Sequence, residues 1–458
     1  MPSELVEWLL IRQSKPTRKG ALVVRVSSSS LKSIKATFDD PNLVANAGLI
    51  LVSTLSGSLG LERLIEEKVS LSGSIGGANP WRKILTLVHA MAAGANFIDH
   101  VDMLRAGSTE AVLGHKVMAP STIGIFLRAF SFGHIRQLDS VSDAALSRAW
   151  QMGAGPGNNR LVIDIDSTIC EVHGPKKQGA NFGYTKCRAY HPILAVRANT
   201  GEILHGRLRK GSANTARGVR PFISDTIARV RRGGASGEIV MRFDSGYWSN
   251  DTISLLEKLD VRYSMAIRAG TKGIKEIIDA IDEDVWNEIP YIPDGCAQVA
   301  ETTYQNRRLV IRRTRLIGKQ AELWPNWRYF GFLTDMGGTT VEADEFHRNR
   351  AVIELSIRDI KDSSLEHLPS GNFSANGVWL ASGIIAHNLL RWSALLGEIT
   401  TAGTFLASQT MRTRFIAVAA RLVNASGRLV LRGPMHWPWA EKFLTALSNL
   451  RAIQPATG

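Results

Sequence analysis

The sequence predicts an α/β protein in which a mixed sheet overlaid by helices follows an all-helical region. Between residues 39 and 150, apolar side chains recur at helical spacing, broken by glycine and serine. A dense turn signal, Gly153-Ala-Gly-Pro-Gly-Asn-Asn159, closes that stretch. Beyond it, strand-like and helix-like runs follow one another in the order βββαβαβ over residues 161–268.

The first strand, 161–166, is an apolar run ending in acid, and 190–198 and 202–209 are two more, joined by the turn Asn199-Thr200-Gly201. A helix over 215–232, a strand over 237–244, a helix over 250–259 and a strand over 261–268 complete the pattern. From 269 to 341 short strands with aromatics, among them Trp286, Tyr304 and Tyr329, suggest an inserted β-rich subdomain, after which helices resume at Glu345. The chain thus divides into a basic N-terminal segment 1–38, a helical module 39–152, a core 153–400 carrying the insertion 269–341, and a basic, helical C-terminal region 401–458. In the helical module, Ala119-Pro120-Ser121-Thr122 reads as a turn and N-cap opening a helix over 123–130, with His115, Lys116 and Arg128 nearby. A DNA-binding helix-turn-helix and an ordinary bundle both fit.

The 458 residues carry a formal charge of +14, a field that attracts polyanions such as nucleic acid. The apolar stretch 84–98 is interrupted by His89, and 378–399 by His387, Asn388 and Arg391, so neither reads as a membrane span. Cys170, Cys187 and Cys296 form no even framework, which suits free thiols in a reducing cytoplasm.

Asp164 and Asp166 lie two apart on a strand and so share a face near its carboxyl end, and Asp244 ends another strand beside Gly246, a residue suited to a tight turn. Carboxylates are hard oxygen ligands of the kind that hold Mg²⁺ or Mn²⁺, and two such ions serve phosphodiester chemistry. Downstream, His347, Arg350, Glu354, Arg358 and Lys361 fall at helical spacings on one face, placing an acid for metal among cations for phosphate. Cys170-x2-His173 with Cys187-x3-His191 is an alternative, zinc-type constellation, but the adjacent acids call for a harder metal.

These motifs resemble those of bacterial insertion-sequence transposases of the DDE class. That family's Asp-x-Thr is matched by Asp166-Ser167-Thr168, and its Asp-Ser-Gly-aromatic by Asp244-Ser245-Gly246-Tyr247. Its Tyr-x2-Arg-x3-Glu-x6-Lys is matched by His347, Arg350, Glu354 and Lys361, with histidine in place of tyrosine. Gly183-Tyr184, Tyr190-His191-Pro192 and Leu368-Pro369-Ser370 extend the likeness. The resemblance implies an RNase H-like mixed-sheet catalytic core behind an all-α DNA-binding module. It implies Asp166, Asp244 and Glu354 as catalytic and metal-binding carboxylates; Asp164 is the alternative first acid, and the match to Asp-x-Thr favours Asp166.

The implied activity is cut-and-paste cleavage and strand transfer at the ends of a mobile element, through a DNA hairpin, with two Mg²⁺ or Mn²⁺ ions. Double-stranded DNA at element ends and target is the implied partner, a homodimer on DNA the implied assembly, and the bacterial nucleoid the implied location. Arg350 and Lys361, with His347 and Arg358, would contact DNA, and Trp327 or Phe330 would stack on a flipped base. Arg412, Arg414, Arg421, Arg428 and Arg432 suit backbone contacts or are scattered surface charge. Two other readings share these motifs: an inactive DNA-binding descendant, and an RNase H-like nuclease that does not join strands.

Overall fold

A computed structural model describes residues 34–183, 186–268, 270–293, 295–316 and 327–454. The chain forms two units, Met1–Asp40 and Pro41–Gly458. Of the first, residues 34–40 are described and carry no helix or strand, so most of the basic N-terminal segment lies outside the described residues, as does Tyr184.

The second unit opens with a two-residue strand, β1 (Leu43–Val44), and six helices: α1 (Leu49–Ser58), α2 (Leu61–Lys68), α3 (Pro80–Ala92), α4 (Thr109–Leu113), α5 (Pro120–Arg128) and α6 (Phe132–Ala149). Proline starts α3 and α5, at a position where a helix needs no backbone N–H. Helix α5 therefore begins at Pro120, and Ser121 and Thr122 lie inside it rather than capping it.

The next elements follow the expected alternation. Strand β2 (Leu161–Ser167) is followed by a small sheet of β3 (Cys170–Glu171), β4 (Asn181–Phe182) and β5 (Arg188–Tyr190). Then come β6 (Ile193–Arg197), β7 (Ile203–Arg207), α7 (Val219–Arg232), β8 (Ile239–Phe243), α8 (Asn250–Lys258) and β9 (Arg262–Ile267). Helix α9 (Ile274–Asp279) leads into β10 (Asn287–Ile289), β11 (Gly295–Tyr304), β12 (Arg307–Leu316) and β13 (Arg328–Thr334). The large sheet has the order β10-β11-β12-β13-β9-β8-β2-β6-β7, with β2, β8 and β9 parallel to their neighbours in that trio and every other pairing antiparallel.

The β-rich insertion continues this sheet. Strand β13 pairs with β9 from Gly331 opposite Ile267 to Thr334 opposite Ser264. Without it, β9 would leave a row of unpaired backbone groups at an open edge.

Helices α10 (Thr340–Arg348), α11 (Val352–Lys361) and α12 (Phe373–Leu396) follow, then α13 (Ser408–Met411), β14 (Ala420–Ala425), β15 (Arg428–Arg432) and α14 (Ala440–Ala452). Helix α12 is buried along most of its length and packs on α1, α3, α5, α6 and β7, which is why its apolar run reads as core and not as a span. No described helix is long and apolar enough to cross a membrane. The C-terminal stretch, expected to be helical, contains a hairpin: Ser426 and Gly427 have φ of 55° and 78° and join β14 to β15 through a two-residue turn. Strand β1 pairs with β14, so the N-terminal helical stretch is tied to the C-terminal hairpin.

A buried carboxylate links the helices to the sheet. Glu202, 1% exposed, accepts hydrogen bonds from Trp150 Nε1 (3.1 Å), Trp392 Nε1 (2.5 Å) and Arg197 Nη1 (3.1 Å). Three donors, one of them charged, satisfy an acid that burial alone would neutralise.

Candidate active site

Strands β2 and β8 lie side by side with Asp164 opposite Arg242 and Ile165 opposite Phe243, so Asp166 and Asp244 follow at adjacent carboxyl ends. Asp166 Oδ1 accepts from the Ser167 N–H at 2.7 Å, and Arg350 Nη1 stands 3.8 Å from Oδ2. Burial pushes the Asp166 carboxyl up to about 6; Arg350 and the Ser167 N–H oppose this, while Asp244 and Glu354 add to it. The acids of β2, β8 and α11 are therefore within electrostatic reach of one another.

Asp244 Oδ1 accepts from the Gly246 N–H at 2.8 Å. Gly246 is closely packed without a left-handed backbone: a Cβ would sit 2.8 Å from Thr215 Cγ2 and 3.0 Å from Asp244 Oδ1. Tyr247 is fully buried beside the acids, and burial raises its hydroxyl pKa.

The alternative first acid does not open onto this site. Asp164 is 0% exposed, and both its oxygens are taken by Arg242, through Nε at 2.6 Å and Nη2 at 2.8 Å. A metal ion would have to displace a buried two-pronged ion pair.

The stripe expected on one helix is split. Helix α10 ends at Arg348, a 3-10 turn spans Asn349–Ala351, and α11 starts at Val352. Arg350 lies on the turn and faces Asp166, whereas Glu354 and Arg358 are exposed on α11. His347 contacts the sheet: its Nδ1 is 2.7 Å from Ser264 Oγ and its ring stacks on Phe332 at 4.3 Å. Burial, with Arg350, Arg242 and Arg312 nearby, pulls His347 down to about 3, and its contacts with Ser264 and Phe332 tie the ring to the sheet. Lys361 lines a groove of about 800 Å³ with Cys170, His173, Cys187, Glu366 and His367.

The family model for the transposase DDE domain group 1 matches residues 26–455. The chain belongs to the DDE transposases. A cryo-EM structure of the piggyBac transposase synaptic complex with hairpin DNA is similar at 12% identity and a TM-score of 0.44, covering 81% of this chain and 79% of that one. No curated protein matches.

In this transposase the two aromatic candidates sit on opposite faces of the extended sheet. Phe330 is paired with Arg312, whose guanidinium lies 5.2 Å from the ring centroid and 3.5 Å from buried Asp344 of α10. That face also carries His347 stacked on Phe332, and Phe330 is 51% exposed on it. Trp327 lies on the other side, under Arg313 and Arg315, each 4.5 Å from its ring. Arg313 also covers Trp286 at 4.1 Å and holds Glu283 at 2.6 Å.

The zinc-type constellation does not form. Among the described residues no three His, Cys, Asp or Glu side chains are grouped closely enough to hold an ion, and this includes Asp166, Asp244 and Glu354. Burial pushes the Cys170 thiol up to about 12, away from the thiolate a metal needs, and His191 Nδ1 is 2.8 Å from the Ala213 carbonyl. Of the C-terminal arginines, Arg412 is buried and donates to the Ala92 and Met91 carbonyls, while Arg414, Arg428 and Arg432 are exposed.

Two arginines absent from the expected site shape it. Arg242 binds Asp164 and two carbonyls of the α10 end, Phe346 at 2.6 Å and Asn349 at 3.2 Å. Arg209 donates to the carbonyls of His191, Thr215 and Arg217, fixing the loop that presses Thr215 against Gly246. The signal for Arg242 is in the sequence: Ile239-Val-Met-Arg-Phe243 is otherwise wholly apolar, as is the run around Asp164, and each isolated charge precedes an acid by two residues.

Proposed function

We propose that this transposase cuts and joins DNA at a centre made of Asp166, Asp244 and Glu354, working with Mg²⁺ or Mn²⁺. The observation that carries this reading is geometric: Asp166 and Asp244 follow the last paired residues of neighbouring parallel strands, with Arg350 Nη1 3.8 Å from Asp166 Oδ2, and the half-buried Asp166 carboxyl is pushed upward with Asp244 and Glu354 adding to the shift. Negative charge gathered at two strand ends, and incompletely offset by the chain itself, fits a divalent cation with oxygen ligands. Such an ion commonly takes one or two carboxylates and completes its shell with water and substrate phosphate, so a closed cage of side chains is not required. When bound, the ions activate the attacking hydroxyl and stabilise the leaving oxygen in in-line displacement.

The chain's own residues orient the reaction. Asp166 and Asp244 mark the ends of paired strands, Glu354 adds its charge from α11, and Arg350 Nη1 stands 3.8 Å from Asp166 Oδ2, a cation held beside the acids. Exposed Arg358 and groove-lining Lys361 extend the cationic path. In the hairpin route of the Arg-Glu-Lys subgroup of bacterial insertion sequences, Phe330, half exposed beside Arg312, would be the ring that stacks with a displaced base. The suborder β7-β6-β2-β8-β9, three antiparallel strands followed by two parallel ones, supports an RNase H-like core. On this reading α5 offers Ser121, Ile125 and Arg128 to DNA from a helix-turn-helix, and two copies hold two element ends within the nucleoid.

The test is cleavage of DNA carrying the source element's ends by purified protein in Mg²⁺ or Mn²⁺, beside Asp244→Ala and Glu354→Ala. Metal-dependent cutting and joining, lost in both variants, is the expected result. Cutting without joining would favour a nuclease, binding without cutting an inactive descendant, and activity surviving either substitution would reject the site.

A further inference from the structure

We propose that Arg242, held by Asp164, is a positioning residue that fixes the turn carrying Arg350 against the ends of the two acid-bearing strands. This inference rests on the reaction centre proposed above. Arg242 and Asp164 are register partners on β8 and β2, each two residues before an acid of that centre. Their side chains are 3% and 0% exposed, and the guanidinium grips the carboxylate with two hydrogen bonds of 2.6 and 2.8 Å.

The remaining donors leave the sheet. Nη1 binds the Phe346 carbonyl at 2.6 Å and Nη2 the Asn349 carbonyl at 3.2 Å, while the guanidinium lies 5.0 Å from the Phe346 ring. These carbonyls belong to the end of α10, where backbone acceptors run out of helical partners and a cation is favoured. One planar cation therefore joins β2, β8 and the point where the helix breaks. Arg350 is the next residue after Asn349 and stands 3.8 Å from Asp166; Glu354 follows four residues later.

Stability alone does not account for the arrangement. A buried ion pair replaced by well-packed apolar residues of similar volume leaves many proteins as stable or more so, because neither charge then has to be taken out of water. What the apolar pair cannot supply is a fork of five donors in one plane that reaches a carboxylate and two carbonyls together. Lysine keeps the charge but not that geometry. His347, bonded to Ser264 and stacked on Phe332, pegs the same helix end to the neighbouring strands, so the guanidinium has one task left, setting the turn.

The experiment compares the wild type, the apolar double variant Asp164→Leu/Arg242→Met, and Arg242→Lys, using full-length protein. Amide hydrogen exchange over residues 346–354 is read by mass spectrometry, and Mn²⁺-dependent cleavage and binding are read on element-end DNA. In the folded double variant, exchange over 346–354 should rise at least tenfold with β2 and β8 unchanged, and cleavage should fall at least a hundredfold with DNA affinity kept. Arg242→Lys should lie between the two and need more Mn²⁺ for half-maximal cleavage. A double variant within threefold of the wild type in either exchange or cleavage overturns the proposal. If the double variant does not fold, Arg242→Lys decides alone, and unchanged exchange in it overturns the proposal. If the wild type does not cut, the proposed function fails by itself, and the exchange result still judges the clamp.

Discussion

Arginines in two parts of this molecule are used in opposite ways. At the carboxyl ends of β2 and β8, Arg242 spends all its reach on the protein, on one acid and two carbonyls, and none of it faces solvent chemistry. On the extension formed by β12 and β13, Arg312, Arg313 and Arg315 lie over Phe330, Trp286 and Trp327, and Phe330 keeps half its surface open. The first region holds a shape; in the second, Arg313 and Trp286 are buried as well, and it is Phe330 beside Arg312 that leaves an open ring next to a cation, a pairing suited to a nucleobase. A net charge of +14 therefore says little about which arginines meet DNA until the partners of each are known.

The contrast can be broken at several points. Replacing Asp166, Asp244 or Glu354 by alanine should lower strand cleavage by a factor of about a thousand or more, with element-end binding kept, measured by gel assay of nicked product. Removing only one half of the buried pair, as in Arg242→Met with Asp164 retained, should cost about 3–5 kcal/mol in urea unfolding because it strands a buried charge, whereas removing both should cost far less.

A smaller effect concerns pH. The Asp166 pKa rises on folding from 3.8 to about 6, so the folded state holds that proton more tightly; the resulting stabilisation is complete below 3.8 and is lost as pH climbs through about 6. In chelator at pH 7.5, Asp166→Asn should thus be more stable than the wild type by up to roughly 2–3 kcal/mol, and the gap should close below pH 4. Mn²⁺ should raise the melting temperature of the wild type and leave that of the variant nearly unchanged. The smallest expected effect separates the two sheet faces. Phe330→Ala should slow processing of the cut end about tenfold with little change in stability, while Trp327→Ala should leave processing within threefold and cost about 1 kcal/mol of unfolding free energy.

Much of this was legible in the residues. The acids sit where strand periodicity put them, because a run such as Val162-Ile-Asp-Ile-Asp166 has one buried solution for its alternation. β-rich patterning marks residues 269–341 as an inserted subdomain but does not say which edge its strands will pair with; that depends on the open side of β9. The interruption of the helix that carries the cationic stripe is hidden for a similar reason. Helical spacing counts residues, and nothing local in Arg348-Asn-Arg-Ala351 announces a 3-10 turn that a distant guanidinium caps. The hairpin of β14 and β15 was within reach, since Ser426-Gly427 between β-branched and leucine runs is a turn signal.

Glu202 has a practical consequence for anyone dividing this chain with a gene-synthesis order form. A cut at the glycine-rich link near residue 153 removes Trp150 and leaves the other fragment with a carboxylate short of one of its three donors, in a site made for dry contact. Neither fragment inherits a finished interior, because α12 fills the helical bundle from the far side of that link. Expression of the halves together, with reassembly scored by Trp fluorescence, is the form in which such a dissection should be attempted.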